Sequence, residues 1–401
     1  MSQGLLKKVR TDYGHTIYAS YLGYITQAVV NNFVPLLFLT FQSDYGISLD
    51  KIGLLVTINF GVQLLVDFLA AKFIDKIGYR TAIVAAHIFA GLGLLGLAVL
   101  PELLPPYAGI ILAIICYAIG GGIIEVLVSP IVEACPTTKK EAAMSLLHSF
   151  YCWGHVFVVL ASTLFFTLAG INNWKWMAVL WALIPFANAI YYSLVPLAAP
   201  VEEGRGMSMM ELLKSKTFWI LFLLMICSGA SEQGMSQWAS AFAESGLKVS
   251  KTVGDLAGPC LFAVLMGTSR ALYAKFSDKI SLKAAMVGSG VLCIVCYLLA
   301  AFATHPVLGL LGCAVCGFSV GIMWPGTFSL ASKSMPTGGT AMFAFLALAG
   351  DLGCSSGPTL VGAVAEKSGA DLKMGILAAV MFPVVLVVTN VLMKGKKENK
   401  L

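Results

Sequence analysis

Long apolar runs, each broken by a short polar stretch, recur from one end of the chain to the other. A helix needs about 20 apolar residues to cross a hydrocarbon core about 30 Å thick. The runs predict twelve spanning helices, over residues 15–41, 52–74, 80–100, 107–134, 141–169, 174–196, 217–244, 252–275, 282–303, 306–333, 338–366 and 371–393. The longest connection, 197–216, reads LAAPVEEGRGMSMMELLKSK and separates six spans from six. Its MSMMELLKSK end predicts a short surface helix. The expected fold is therefore an all-α membrane protein of two six-helix halves, 1–196 and 217–401, with 197–216 as linker.

Composition sharpens this. Of 401 residues, 58% are hydrophobic and 11% charged, against roughly 25% charged in an ordinary soluble protein. So little charge cannot cover a water-facing surface. The first apolar stretch is too long for the core of a cleavable signal peptide and reads as the first span. With the N-terminus placed in the cytoplasm, the inner segments carry 20 of the 26 Lys and Arg and the outer segments 6. By the positive-inside rule both termini are expected in the cytoplasm of a plasma (inner) membrane. The net charge of +6 then reflects topology and anionic lipid rather than nucleic acid. Two C-x-x-C spacings, Cys293/Cys296 and Cys313/Cys316, lie mid-span without a nearby His or acid in sequence. They read as helix packing rather than metal or redox chemistry.

One short phrase is written twice. AKFIDKI starts at Ala71 and AKFSDKI at Ala274, 203 residues later and identical at six of seven positions. Each copy falls between the second and third spans of its half, so the chain reads as a duplicated six-helix unit with parallel repeats. Lys72, Lys76 and Arg80 surround Asp75, and Gly78 permits a tight turn. Pairs that break and re-form at such joints can gate one face of a transporter. The gating set is Asp75, Lys76, Gly78, Arg80, Asp278 and Lys279, with Arg270 added as the deepest Arg of the C-terminal half.

Twelve spans, two halves, a central loop and this phrase resemble the major facilitator superfamily. Its loop pattern has a small residue, Asp-Arg/Lys, then Gly and a basic residue; here Ala71, Asp75, Lys76, Gly78 and Arg80 stand in those places, and Ser281 replaces the glycine in the second copy. Spans 4 and 5, GGGIIEVLVSPIVEACPTTKKEAAMSLLHSFYCWGH, resemble the fucose–galactose–proton symporter family of sugar permeases through Glu125, Pro130, Ser149, Phe150 and Gly154. The acidic residue which that family carries four before a proline in span 1 is here Asn31, before Pro35. The resemblance implies alternating access between two halves, a sugar-like solute and a proton.

A charge inside a span costs at least about 2.5 kcal/mol to insert, so each one asks for a reason. Four acids fall well inside: Asp67 in span 2, Glu125 in span 4, Glu232 in span 7 and Asp351 in span 11. Burial disfavours the ionised form of a carboxyl, so such groups can take up and release protons near neutral pH. These four are the proton-coupling candidates. Neutral polar residues recur at helical spacing beside them: Gln27 and Asn31, then Asn59, Gln63 and Asp67, then Gln233 and Gln237, with His148, Cys152 and His155 on one face of span 5. Such stripes face protein or water, not lipid. Interhelical hydrogen bonding alone would account for them; a wet central cavity would also.

Amides next to aromatic platforms suit a polyol. The predicted binding set is Gln27, Asn31, Asn59, Gln63, His148, Tyr151, Trp153, Gln233, Gln237, Trp238 and Trp324. There is no phosphate loop, no T-V-G-Y-G filter and no soluble domain large enough for an enzyme. The expectation is a monomeric secondary transporter with no cofactor or metal, carrying a small polar solute, most simply a sugar, with protons. The alternatives are an exporter of amphipathic compounds, for which a cavity lined by Met and Phe is expected, or a facilitative carrier of another organic solute.

Overall fold

The structure is a computed structural model that describes residues 8–136, 140–198, 207, 209–276, 281–335 and 337–393. Twelve long helical segments organise it: α1 (Tyr13–Tyr45), α2 (Leu49–Ile77), α3 (Tyr79–Leu103), α4 (Pro106–Ala134), α5 (Lys140–Ala169), α6 (Trp174–Leu194), α7 (Lys216–Ser236), α8 (Lys251–Phe276), α9 (Leu282–Phe302), α10 (Pro306–Ser334), α11 (Gly339–Lys367) and α12 (Leu372–Leu392). Among the described residues, eleven helical segments are long and apolar enough to cross a membrane. α11 is the twelfth, equally long but more polar, with Asp351, Cys354, Ser355 and Ser356 in its middle. A short helix, Met209–Lys214, precedes α7.

Local chemistry sets the boundaries. Side chains that accept from exposed backbone amides start several helices: Asp12 from Gly14 before α1, Ser215 from Phe218 before α7, Ser281 from Ala284 before α9 and Asp371 from Lys373 before α12. Pro35 cannot continue the α-helical ladder, and α1 tightens to a 3-10 turn over Val34–Leu37. α7 breaks at Gln237–Trp238 and resumes through a π turn, Phe242–Gly246. α8 holds a second π turn, Leu256–Cys260, at Pro259.

Three departures from the sequence pattern bear on the joints and the site. α2 runs to Ile77 rather than 74, so Asp75 and Lys76 lie in the helix, because nothing in AKFIDK interrupts it before Gly78, whose φ is +85°. α7 ends as a regular helix at Ser236, not 244. α10 is broken at Gly321–Ile322.

The packing repeats. Within the first half α1 packs on α5 and α6, α2 on α4, and α3 on α4 and α6; within the second, α7 packs on α11 and α12, α8 on α10, and α9 on α10 and α12. The halves meet along two equivalent seams, α2 with α11 and α5 with α8.

At the face away from residue 13 these seams are closed. Glu366 Oε2 accepts from the Leu49 amide (3.0 Å), the Thr57 and Thr359 hydroxyls touch, and Gly53 and Gly362 let the two backbones meet. A Cβ on Gly362 would lie 2.7 Å from the Leu49 carbonyl and 2.9 Å from the Trp238 ring. Beside the second seam Lys251 of α8 donates to the Leu36 carbonyl of α1 (2.7 Å); across it the buried Asp255 carboxylate accepts from Thr163 (3.2 Å), and it also accepts from Ser240 and Lys251 of its own half.

Candidate functional site

Helix α4 carries three consecutive glycines, and each admits a different neighbour. A Cβ on Gly120 would strike the backbone of α3 at Ala86 and Ala90, one on Gly121 would meet Gln27 and Val30 of α1, and one on Gly122 would meet Gln63 and Val66 of α2. This close approach carries Glu125, about one turn further along, into the core of the first half. Gln27 Nε2 donates to Glu125 Oε2 (3.0 Å) and to Gln63 Oε1 (2.7 Å).

The hydrogen bonds continue without a gap. Gln63 Nε2 donates to Asn31 Oδ1 (2.9 Å) and Asn59 Oδ1 (3.0 Å), and Asn59 Nδ2 donates to Asn31 Oδ1 (3.0 Å). Asn31 stands four residues before Pro35, which has no N–H, so the Asn31 carbonyl has no i+4 helical donor. Gln237 Nε2 of the second half takes that place at 3.1 Å. The same Nε2 donates to Gln233 Oε1 (2.8 Å), and Gln233 Nε2 donates to Glu232 Oε1 (3.2 Å). Glu232 Oε2 lies 3.8 Å from Arg270 Nη2. Arg270 in turn donates from Nε to the Gly321 carbonyl (3.0 Å) and from Nη1 to Cys152 Sγ (3.3 Å). A relay of amides therefore links an acid in one half to an acid in the other.

Between the halves, midway along the helices, lies a cavity of about 150 Å³. Acids (Glu125, Glu232, Asp351), amides (Gln27, Asn31, Gln233), rings (Tyr24, Phe60, Tyr151, Trp324), Arg270 and Cys354 line it. Asp67 of α2 is not part of this wall, and its Oδ1 is buried with no hydrogen-bond partner among the described residues. The arrangement offers donors and acceptors for hydroxyl groups, ring faces for C–H surfaces, and carboxyl groups that can hold protons.

The sequence-predicted residues divide into groups. Gln27, Asn31, Tyr151, Gln233, Trp324, Glu125, Glu232 and Asp351 come together in the cavity wall. Gln63 is buried in the relay, and Asn59 and Gln237 border a smaller void beside Pro35 and Phe38. Trp238 is fully buried, packed on Phe38 with ring centroids 5.1 Å apart and donating to the Pro358 carbonyl (3.0 Å); it seals the closed face and does not line the cavity. Trp153 is 54% exposed on the outer surface of α5, since adjacent helical positions point about 100° apart and Tyr151 and Cys152 take the inner side.

Arg270, read as a gate residue, lies in the cavity wall. Arg80 clamps the end of α6, donating to the carbonyls of Tyr192 (2.8 Å), Ser193 (3.1 Å) and Val195 (2.8 Å) within its own half. Asp278 and Lys279 lie outside the described residues, as do the side chains of Asp75, Lys76 and His148. Sequence reasoning missed Tyr24, Phe60 and Cys354. Tyr24 and Cys354 are one helical turn from Gln27 and Asp351, a spacing that could have found them. It also missed Asp255, whose partners come from three other places in the chain.

A model of the Major Facilitator Superfamily matches residues 20–358, and the chain belongs to that family. Its fold is shared with transporters of different cargo. It is similar to the D-xylose–proton symporter (TM-score 0.76, 14% identity, 94% of this chain and 95% of that one) and to the nucleoside transporter NupG (0.76, 16%, 94% and 99%). It is also similar to FucP in its outward conformation (0.65, 15%, 95% and 99%). No curated protein sequence matches the chain.

Proposed function

We propose that this transporter carries a small polar organic solute, most simply a sugar, together with a proton, by alternating access between halves 1–196 and 217–401. The observation that carries the reading is the composition of the cavity: three carboxyl groups, three amides and four aromatic rings, with no methionine among the described residues of its wall. An exporter of lipophilic compounds calls for Met and Phe there, and among the described residues Phe60 alone answers. Glu125 is the proton carrier in this reading, because it sits in the cavity wall at the first-half end of the relay. The similarity in fold to xylose–proton and fucose symporters supports the class of solute. The protein acts as a monomer in the plasma membrane, with the linker 197–216 and both termini in the cytoplasm.

Two measurements test this. A panel of monosaccharides, polyols, sugar acids, nucleosides and amphipathic amines is screened by thermal shift on purified protein, and the hits are taken to counterflow in liposomes. Stabilisation and counterflow by amphipathic amines alone would overturn the polar-solute reading. Labelling of single reporter sites near residues 3 and 398 in intact cells is expected only after permeabilisation. Reaction from outside would reverse the assigned orientation.

A further inference from the structure

The cavity wall holds two buried oxygens that nothing in the protein satisfies. Gln27 Oε1 in the first half and Asp351 Oδ2 in the second have no hydrogen-bond partner among the described residues. Both side chains are almost wholly buried, at 2% and 3% exposure. Both orphan atoms are acceptors. Gln27 already spends its Nε2 on Gln63 and Glu125, and Gln233 donates to Glu232. A buried acceptor left bare is costly, so an occupant of the cavity is expected to bring donors.

Charge points the same way. Three carboxyl groups line the cavity, and Arg270 is the one cation among its described lining residues. That cation is committed elsewhere. It lies 3.8 Å from Glu232 and donates to the Gly321 carbonyl (3.0 Å) and to Cys152 Sγ (3.3 Å). Glu125 accepts from Gln27 at 3.0 Å. Asp351 is left without a cation in the wall and, at Oδ2, without a donor. Buried charges are normally paired, and here the partner has to come from outside the protein.

The surroundings of Asp351 favour an organic cation. The residue before it is Gly350, and the six-membered ring of Trp324 rests there. A Cβ on Gly350 would lie 2.0 Å from Trp324 Cη2 and 2.3 Å from Cζ3, so only glycine admits the indole this close. Trp324 lines the cavity with Asp351, and Tyr24, Phe60 and Tyr151 supply further rings. Ammonium groups bind carboxylates by charge-assisted hydrogen bonds and aromatic rings through the ring quadrupole. The volume of about 150 Å³ is that of a site for a single six-membered ring.

We propose that the cargo carries a protonated amine, with Asp351 as its counter-ion, on a hydroxylated body of about one ring: the chemical class of the hexosamines. The ammonium docks at Asp351 beside Trp324. The hydroxyls meet the amides of the first half, where Gln27 Oε1 takes a donor. One solute thereby touches both halves. The inference rests on the polar-solute reading and narrows it. Neutral sugars bring no cation, and sugar acids add a negative charge to three carboxyl groups, so both are weaker cargoes.

The test sets matched probes against each other on purified protein in nanodiscs at about pH 6, where an aliphatic amine is protonated. Glucosamine, galactosamine and mannosamine are each compared with the neutral hexose and with the N-acetyl form, by thermal-shift titration and by counterflow in liposomes. At least one hexosamine is expected to bind about tenfold or more tighter than both neutral partners. Asp351→Asn is expected to bring that ratio to about one. Asp351→Glu, which restores the charge, is expected to keep a preference for the amine. The comparison in the unmodified chain stands whether or not a variant folds.

Hexoses or N-acetylhexosamines bound as tightly as the hexosamines overturn the proposal and leave the polar-solute reading in place. So does binding of another polar solute with none of the hexosamines. A full amine preference in Asp351→Asn overturns it too. Binding of amphipathic amines alone overturns the polar-solute reading, and this inference with it.

Discussion

Glu125→Gln is expected to abolish proton-driven accumulation while sparing exchange of labelled for unlabelled solute. One proton moved per solute across a pH step of one unit can support an accumulation of about tenfold, since a unit of pH is worth about 1.4 kcal/mol per proton. A side chain that cannot release a proton should bring that ratio to about one. The substitution keeps the local structure. The Gln carbonyl can still accept from Gln27 Nε2, as Glu125 Oε2 does at 3.0 Å, so the relay stays joined. The glycine contacts of α4 are untouched. Accumulation against a gradient by the Gln variant, driven by a pH step in liposomes, would remove Glu125 as the proton carrier. Coupling would then pass to Glu232 or Asp351, the other two acids of the cavity wall.

The second large effect is expected at Arg270. Its guanidinium holds three elements at once: Glu232 of α7, the Gly321 carbonyl in the break of α10, and Cys152 across the seam on α5. Arg270→Gln leaves Glu232, 8% exposed, with no cation. Removing one partner of a buried ion pair costs about 3 kcal/mol or more, because the other charge stays behind unpaired. The unfolding midpoint in detergent should fall accordingly. Adding Glu232→Gln should recover most of the loss, since the stranded charge is then gone. Arg270→Lys keeps the charge but not the planar fork that grips a carbonyl and a sulfur together, and should recover only part. A double variant as unstable as Arg270→Gln alone would show that the pair contributes no coupling.

What the sequence makes legible follows from range. Apolar runs, proline and glycine breaks and the basic residues depend on neighbours within a turn or two, and they set the twelve helices. The acids inside spans are legible because charge in lipid always needs an explanation. Facing is less so. Trp153 and Tyr151 are two residues apart, yet one covers the outside of α5 and the other the cavity. Trp238 sits beside the amide stripe of α7, but the break that follows Ser236 turns its ring into the closed face, against Phe38 and Pro358. Asp255 lies near a span end, where a carboxylate needs no partner to be tolerated. Of its partners Thr163, Ser240 and Lys251, only Thr163 belongs to the other half, and that bond depends on how the halves dock. Docking pairs α2 with α11 and α5 with α8 across separations of some hundred residues or more, and no local pattern encodes it.

Pro35 gives α1 an obligation that outlasts any one conformation. Denied its i+4 donor by Pro35, the Asn31 carbonyl accepts from Gln237 of the other half. A motion that draws α1 away from α7 breaks that bond, and Pro35 offers no i+4 N–H to replace it. A buried carbonyl left bare costs about 1–3 kcal/mol. The vacancy must be filled from the cavity, by water or by a hydroxyl of the cargo. A cargo that fills it offsets the cost of changing face, whereas an empty carrier must recruit water there. One proline thus makes Asn31 a place where loaded and unloaded carriers differ in how readily they turn.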